Sequence, residues 1–184
     1  MITELKTGTI LYHGSYCEVC NPDIARCRKN KDFGQGFYLT TDMEQAKQFA
    51  RITSKKAIEN GIISETSQYV SVFEYTNNES IKSKIYPTAD ADWLHCVVAH
   101  RKRDLFENII DELRETDIIG GKIANDQTNA TILTYMAGTF GEPGIESVDN
   151  TCINLLIPER LKDQYCFRTQ KALECLSFRR CIKV

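Results

Sequence analysis

The chain has 184 residues, enough for one domain with a full core and short for two. Hydrophobic residues make up 42% and charged residues 26%, which excludes a disordered or fibrous class. A formal net charge of −2 leaves no nucleic-acid or membrane footprint. The short basic clusters at 26–29 and 101–103 read as solvated faces. The N-terminal stretch MITELKTGTILYHGS lacks the apolar run of a secretory signal, and no segment reaches the ~20 apolar residues of a membrane span. A cytoplasmic protein with no membrane partner is therefore expected. In that compartment the eight cysteines are free thiols. Cys96, Cys152, Cys166, Cys175 and Cys181 sit among apolar neighbours and read as buried. Cys17 and Cys20 form a CxxC without a second ligand pair, so no metal site is expected.

In chain order, Thr9 to Tyr12 alternate as a strand ending on His13-Gly14-Ser15. A loop with Pro22 leads to Asp32-Phe33-Gly34-Gln35-Gly36, and Phe37 to Thr40 read as a second strand. Thr41 and Asp42 offer an N-cap, with Glu44 and Gln45 placed for a capping box. The helix they start runs to about Asn60, carries Ala46, Phe49, Ala50, Ala57 and Ile58 at helical spacing, and stops at Gly61. Strands are expected over 68–75 and 81–86, helices over 91–100 and 104–115, and a short strand over 117–124. Helices at 125–137 and 148–156 follow. Strands at 164–168 and 177–184 close the chain, with a helical turn at 171–176 between them. Strands and helices are interspersed without βαβ regularity, so the fold class is α+β with antiparallel sheets, in a single domain over 1–184.

Two segments break ordinary core logic. In Tyr12-His13-Gly14-Ser15 a histidine ends a strand and a glycine allows a ligand close to the backbone. In DFGQGFYLT, Asp32 to Thr40, a glycine-bearing loop feeds an aromatic strand that contains Tyr38. Neither GxGxxG nor GxxxxGK[ST] is present, so this is not a phosphate loop of either type.

Together the two segments resemble the ADP-ribosyltransferase superfamily, in the His-Tyr-Glu branch that includes diphtheria toxin and the poly(ADP-ribose) polymerases. In that branch an HG[ST] segment ends the first strand, an FGxGIYF-like segment carries the tyrosine, and the next helix presents a second aromatic. Here YHGS spans Tyr12 to Ser15, DFGQGFYLT carries Tyr38, and Phe49 stands on the following helix. The closing DQYCF, Asp163 to Phe167, is similar to the strand that supplies the family glutamate. The chain more closely resembles an uncharacterised bacterial family of ADP-ribosyltransferase-like proteins, in which a Pro and an Arg lie between the two blocks, as Pro22 and Arg28 do here.

The resemblance implies a split β-sheet barrel with flanking helices around a cleft that takes NAD as the ADP-ribose donor. It implies that Gly14 backbone groups hold the nicotinamide amide and that His13, supported by Ser15, bonds a ribose hydroxyl. Tyr38 and Phe49 would sandwich the nicotinamide ring, and Arg28 would meet the pyrophosphate. Gln164 stands at the glutamate position, and an amide cannot serve as a general base. Asp126, where a glycine-bearing strand end meets a helix start, is the candidate for a displaced carboxylate, with helix capping as its plain alternative. Asp32 and Glu142 are weaker candidates. The implied activity is that of a mono-ADP-ribosyltransferase, a pentosyl glycosyltransferase modifying a macromolecular acceptor. It could act as the toxin of a toxin–antitoxin pair, with an antitoxin protein as partner, or as an effector. A catalytically silent NAD- or ADP-ribose-binding module and an NAD glycohydrolase are the alternatives.

Overall fold

The computed structural model describes residues 2–102, 104–124 and 126–184, with the side chains of Asp126 and Gln127 left undescribed. The chain is α+β. Its strands are β1 (Ile10–Ser15), β2 (Phe37–Leu39), β3 (Tyr69–Tyr75), β4 (Ser83–Ile85), β5 (Ile118–Lys122), β6 (Asp163–Phe167) and β7 (Leu176–Lys183). Its helices are α1 (Met43–Glu59), α2 (Ala91–Arg101), α3 (Glu107–Glu112), α4 (Asp126–Met136), α5 (Glu146–Leu156) and α6 (Gln170–Leu173).

The strands form two open sheets, one in the order β1-β3-β7 and one in the order β2-β6-β5-β4. The ladders are antiparallel except β4 with β5, which is parallel and corrects the expectation of wholly antiparallel sheets. Strand alternation divides the side chains into layers. Leu11, Phe37, Leu39, Phe73, Ile118, Tyr165 and Phe167 form the core between the sheets. On the opposite face of the four-stranded sheet, Ile119 and Cys166 pack with Trp93, Leu94, Val97, Ile132 and Cys152 of the helices. Cys96, Cys152, Cys166 and Cys175 are buried as expected, whereas Cys181 is only half-buried.

Asp42 caps α1 by accepting from the backbone N–H groups of Glu44 and Gln45. The reciprocal half of the capping box is not made. Gln45 is buried instead, donating to the Asp163 carbonyl and accepting from the Thr40 hydroxyl. Of the apolar residues at helical spacing, Ala46, Ala50 and Ala57 are buried, while Phe49 and Ile58 are exposed. The small residues let α1 lie directly on β1. A methyl group at Gly14 would stand 1.9 Å from the Ala46 carbonyl oxygen and 2.8 Å from the Ala50 nitrogen. The close approach that requires glycine here is thus made by a helix, not by a ligand.

Helix α2 is buried along most of its surface, including Trp93, Leu94 and the run from Cys96 to His100. A helix apolar on nearly every side must sit inside, and α2 carries its last residue, Arg101, inside with it. No helix among the described residues is long and apolar enough to cross a membrane.

Candidate functional site at the seam between the sheets

The two sheets touch where β1 meets β2. Tyr12 and Thr40 exchange both backbone hydrogen bonds, at 2.8 and 3.0 Å, and form an isolated bridge. Beyond it the ladder stops. The His13 ring takes over, with Nδ1 at 2.8 Å from the Tyr38 carbonyl oxygen. A carbonyl only accepts, so Nδ1 carries the proton and Nε2 is an acceptor. Burial lowers the His13 pKa and the bond to Tyr38 opposes that shift, so the neutral ring is favoured near pH 7. The ring lies against Phe37, with centroids 4.4 Å apart.

This wedge has a consequence for Gly14. In an antiparallel strand, alternate residues turn their N–H and C=O groups to the same side. Tyr12 bonds β2, so Gly14 also directs its N–H and C=O toward β2, past the last bridge. No backbone bond across the seam reaches them among the described residues. The strand pair therefore opens at the HGS segment and leaves one donor and one acceptor at its edge.

The β2–β6 register pairs Tyr38 with Cys166 and Leu39 with Tyr165, which sets Gln164 next to Thr40. Tyr38, Cys166 and Gln164 therefore share the face of the sheet that turns to α2. Tyr38 is half-buried, and its hydroxyl donates to the Gly34 carbonyl at 2.8 Å and accepts from the Phe33 N–H at 3.0 Å. Burial drives its pKa well above the phenol range, so the hydroxyl stays protonated and braces the 32–36 loop. Gly34 has φ +77°, and a methyl group there would stand 2.7 Å from His100 Cδ2. His100 is itself buried. Its Nδ1 donates to the Cys96 carbonyl, and Nε2 is the one fully enclosed side-chain polar atom without a partner among the described residues.

Asp32 heads this loop and lies buried at the centre of a polar network. Its Oδ1 accepts from Arg101 Nε at 3.1 Å and Nη2 at 2.5 Å. Its Oδ2 accepts from the Ala124 N–H at 3.0 Å and from Gln164 Nε2 at 2.8 Å. Arg101 also bonds the Asn129 side chain and the Ala124 carbonyl. Lys31 stands beside Asp32 with its pKa lowered, by burial first, while Asp32 opposes the shift and Arg28, Lys56 and Arg101 add to it.

Of the residues expected at a site, His13, Gly14, Tyr38 and Gln164 are thus brought to adjoining strands. The other expected residues are not assembled with them. Ser15 has no hydrogen bond to His13 among the described residues; its hydroxyl accepts from the Cys17 N–H at 3.5 Å. Phe49 is 37% exposed on α1 and has no ring contact with Tyr38 among the described residues. Arg28 is exposed on its loop. Asp126 opens α4, but its side chain lies outside the described residues. Asp32 and Arg101 carry more of the geometry than their sequence context indicated. The reading of 101–103 as a solvated basic face fails at Arg101, which is 15% exposed and ion-paired. Two surface depressions, of about 210 Å³ beside Cys20 and Phe178 and about 60 Å³ beside Tyr75 and Ile118, lie away from this seam.

The fold and seam define an α+β domain of paired open sheets whose junction leaves the β1–β2 ladder broken beside Gly14. Residues 9–178 match the family described as "Protein of unknown function (DUF3990)", and the chain belongs to that family. No curated protein and no solved structure matches it.

Proposed function

We propose that the seam binds NAD⁺ and that the chain is a mono-ADP-ribosyltransferase acting on a macromolecule, built on an ADP-ribosyltransferase-like split barrel. The observation that carries this reading is the adjacency of three segments distant in sequence. The HGS end of β1, Tyr38 on β2 and Gln164 on β6 lie on neighbouring strands, with the β1–β2 ladder broken beside Gly14. The N–H and C=O of Gly14, unpaired across the seam among the described residues, suit the two ends of a carboxamide, which is the recognition unit of nicotinamide. Neutral His13 offers Nε2 to a ribose hydroxyl. In the reaction the bond between ribose C1′ and the nicotinamide nitrogen breaks, and nicotinamide leaves with the bonding pair. The acceptor's nucleophile then bonds C1′ and releases its proton. Positive charge grows on the sugar, so acceptor groups around it favour the transition state. By the same resemblance, a bacterial toxin neutralised by an antitoxin protein is the proposed setting.

A second reading has its own observation. Gln164 carries no charge, and both oxygens of neighbouring Asp32 are engaged by Arg101, Ala124 and Gln164 itself. A pocket that binds NAD⁺ without turning it over fits that arrangement. Incubation with NAD⁺ in cell lysate separates the two. Transfer gives free nicotinamide and an ADP-ribose increment on a macromolecule, both lost in His13→Ala. Nicotinamide without an increment identifies hydrolysis. Saturable binding with neither product leaves the silent module.

A further inference from the structure

We infer that Asp32 is the positioning residue of this site: it takes the amide nitrogen of Gln164 and thereby commits Oε1 to act as the acceptor for substrate. The inference rests on the NAD⁺ reading of the seam and assigns a role to a residue which that reading does not use. A carboxylate can only accept, so the 2.8 Å contact with Asp32 Oδ2 must be made by the NH₂ end of the amide. The Lys122 carbonyl, 3.5 Å from the same nitrogen, adds a second acceptor on that side. Asp32 cannot turn away, because Arg101 holds Oδ1 through two nitrogens and the Ala124 N–H holds Oδ2. Oε1 has no hydrogen-bond partner among the described residues. Gln164 as a whole is 6% exposed.

Negative charge beside this end of β6 is therefore carried by Asp32. Gln164 relays it as an oriented carbonyl dipole. Asp32 itself does not touch the substrate. Gln164 and Asp32 form one unit, and glutamate at 164 would set two carboxylates at hydrogen-bond distance, where they share a proton. Among the described residues, the charged and titratable groups around that pair are Arg101, His100 and Cys96 from α2, Lys31 from the loop, Tyr38 from β2 and Cys166 from β6.

The test compares the wild type, Gln164→Glu and the exchange Asp32→Asn/Gln164→Glu. Thermal stability is followed from pH 5 to 8, and NAD⁺ affinity is measured by calorimetry at pH 6.5 and 8.5. In Gln164→Glu one carboxyl pKa is raised in the folded state. Its stability should therefore match the wild type best at pH 5 and fall behind as pH rises, with NAD⁺ affinity at least tenfold weaker at pH 8.5. The exchange restores one carboxylate facing one amide, and should recover both a parallel stability profile and most of the affinity. A Gln164→Glu profile parallel to the wild type, with unchanged affinity at both pH values, overturns the inference. If no form binds NAD⁺ while the pH-dependent loss and its rescue remain, the coupling of Asp32 to Gln164 stands and the NAD⁺ reading falls.

Discussion

Gln164 and Asp32, 132 positions apart in sequence, are joined by a 2.8 Å hydrogen bond from the amide nitrogen to the carboxylate, inside the face that packs on α2. The bond ties the last strand of the four-stranded sheet to the loop that precedes Tyr38. It also explains how a buried carboxylate is tolerated: both oxygens are satisfied, and the charge is balanced by Arg101. The seam is therefore held from behind by charge and from the front by the His13 wedge.

Removing Arg101 should test the first support. Arg101→Ala leaves Asp32 buried without its counter-ion, a change that typically destabilises by about 3–5 kcal/mol. Urea denaturation should show a loss of that order. A loss below about 1 kcal/mol would mean that the pair is solvated and that the network does not organise the loop.

Gly14→Ala should damage the fold before it touches any ligand. The new methyl group meets the backbone of α1 at 1.9 Å, a contact no rotamer can relieve. Overpacking of this kind costs about 1–3 kcal/mol and sometimes more, so the melting temperature should fall clearly without NAD⁺ present. Wild-type stability in Gly14→Ala would mean that α1 does not cross β1 there.

Phe49 offers the opposite dissociation. It is 37% exposed, so Phe49→Ala should leave stability within about 0.5 kcal/mol of the wild type. If Phe49 swings onto a bound nicotinamide, the lost stacking of about 0.5–1.5 kcal/mol should weaken NAD⁺ binding by about 2- to 12-fold. Unchanged affinity would remove Phe49 from the site.

The neutral histidines set a pH dependence with a definite sign. His13 and His100 both have pKa values lowered by burial, so the unfolded chain binds more protons than the folded one near pH 6. Stability should be full above about pH 6.5 and fall as the pH drops through that value. His13→Asn, which keeps a donor for the Tyr38 carbonyl, should make the decline shallower. A decline as steep as that of the wild type would assign the whole effect to other groups.

Much of this arrangement is legible in the chain. The cap at Asp42 and the stop at Gly61 bound α1 closely, because capping is local chemistry. The YHGS and DFGQGFY blocks mark β1 and β2. What alternation cannot reveal is which strand edges stay unpaired, and the break beside Gly14 depends on a side chain replacing a ladder bond. Nor does it reveal the parallel β4–β5 pair, which rests on a strand of three residues. Arg101 was hidden by its neighbour Lys102 and its place in a basic run. The signal that could have exposed it is the apolar character of α2 on nearly every side.

Occupation of the seam at Gly14 by NAD⁺ can be read from a titration of ¹⁵N-labelled protein with NAD⁺ that follows the backbone amide of Gly14 together with the side-chain amide of Gln164. Saturable shifts of both resonances with one dissociation constant are expected, with both responses lost in His13→Ala. Saturable binding that leaves the Gly14 and Gln164 signals unmoved would contradict it, as would no binding at millimolar NAD⁺.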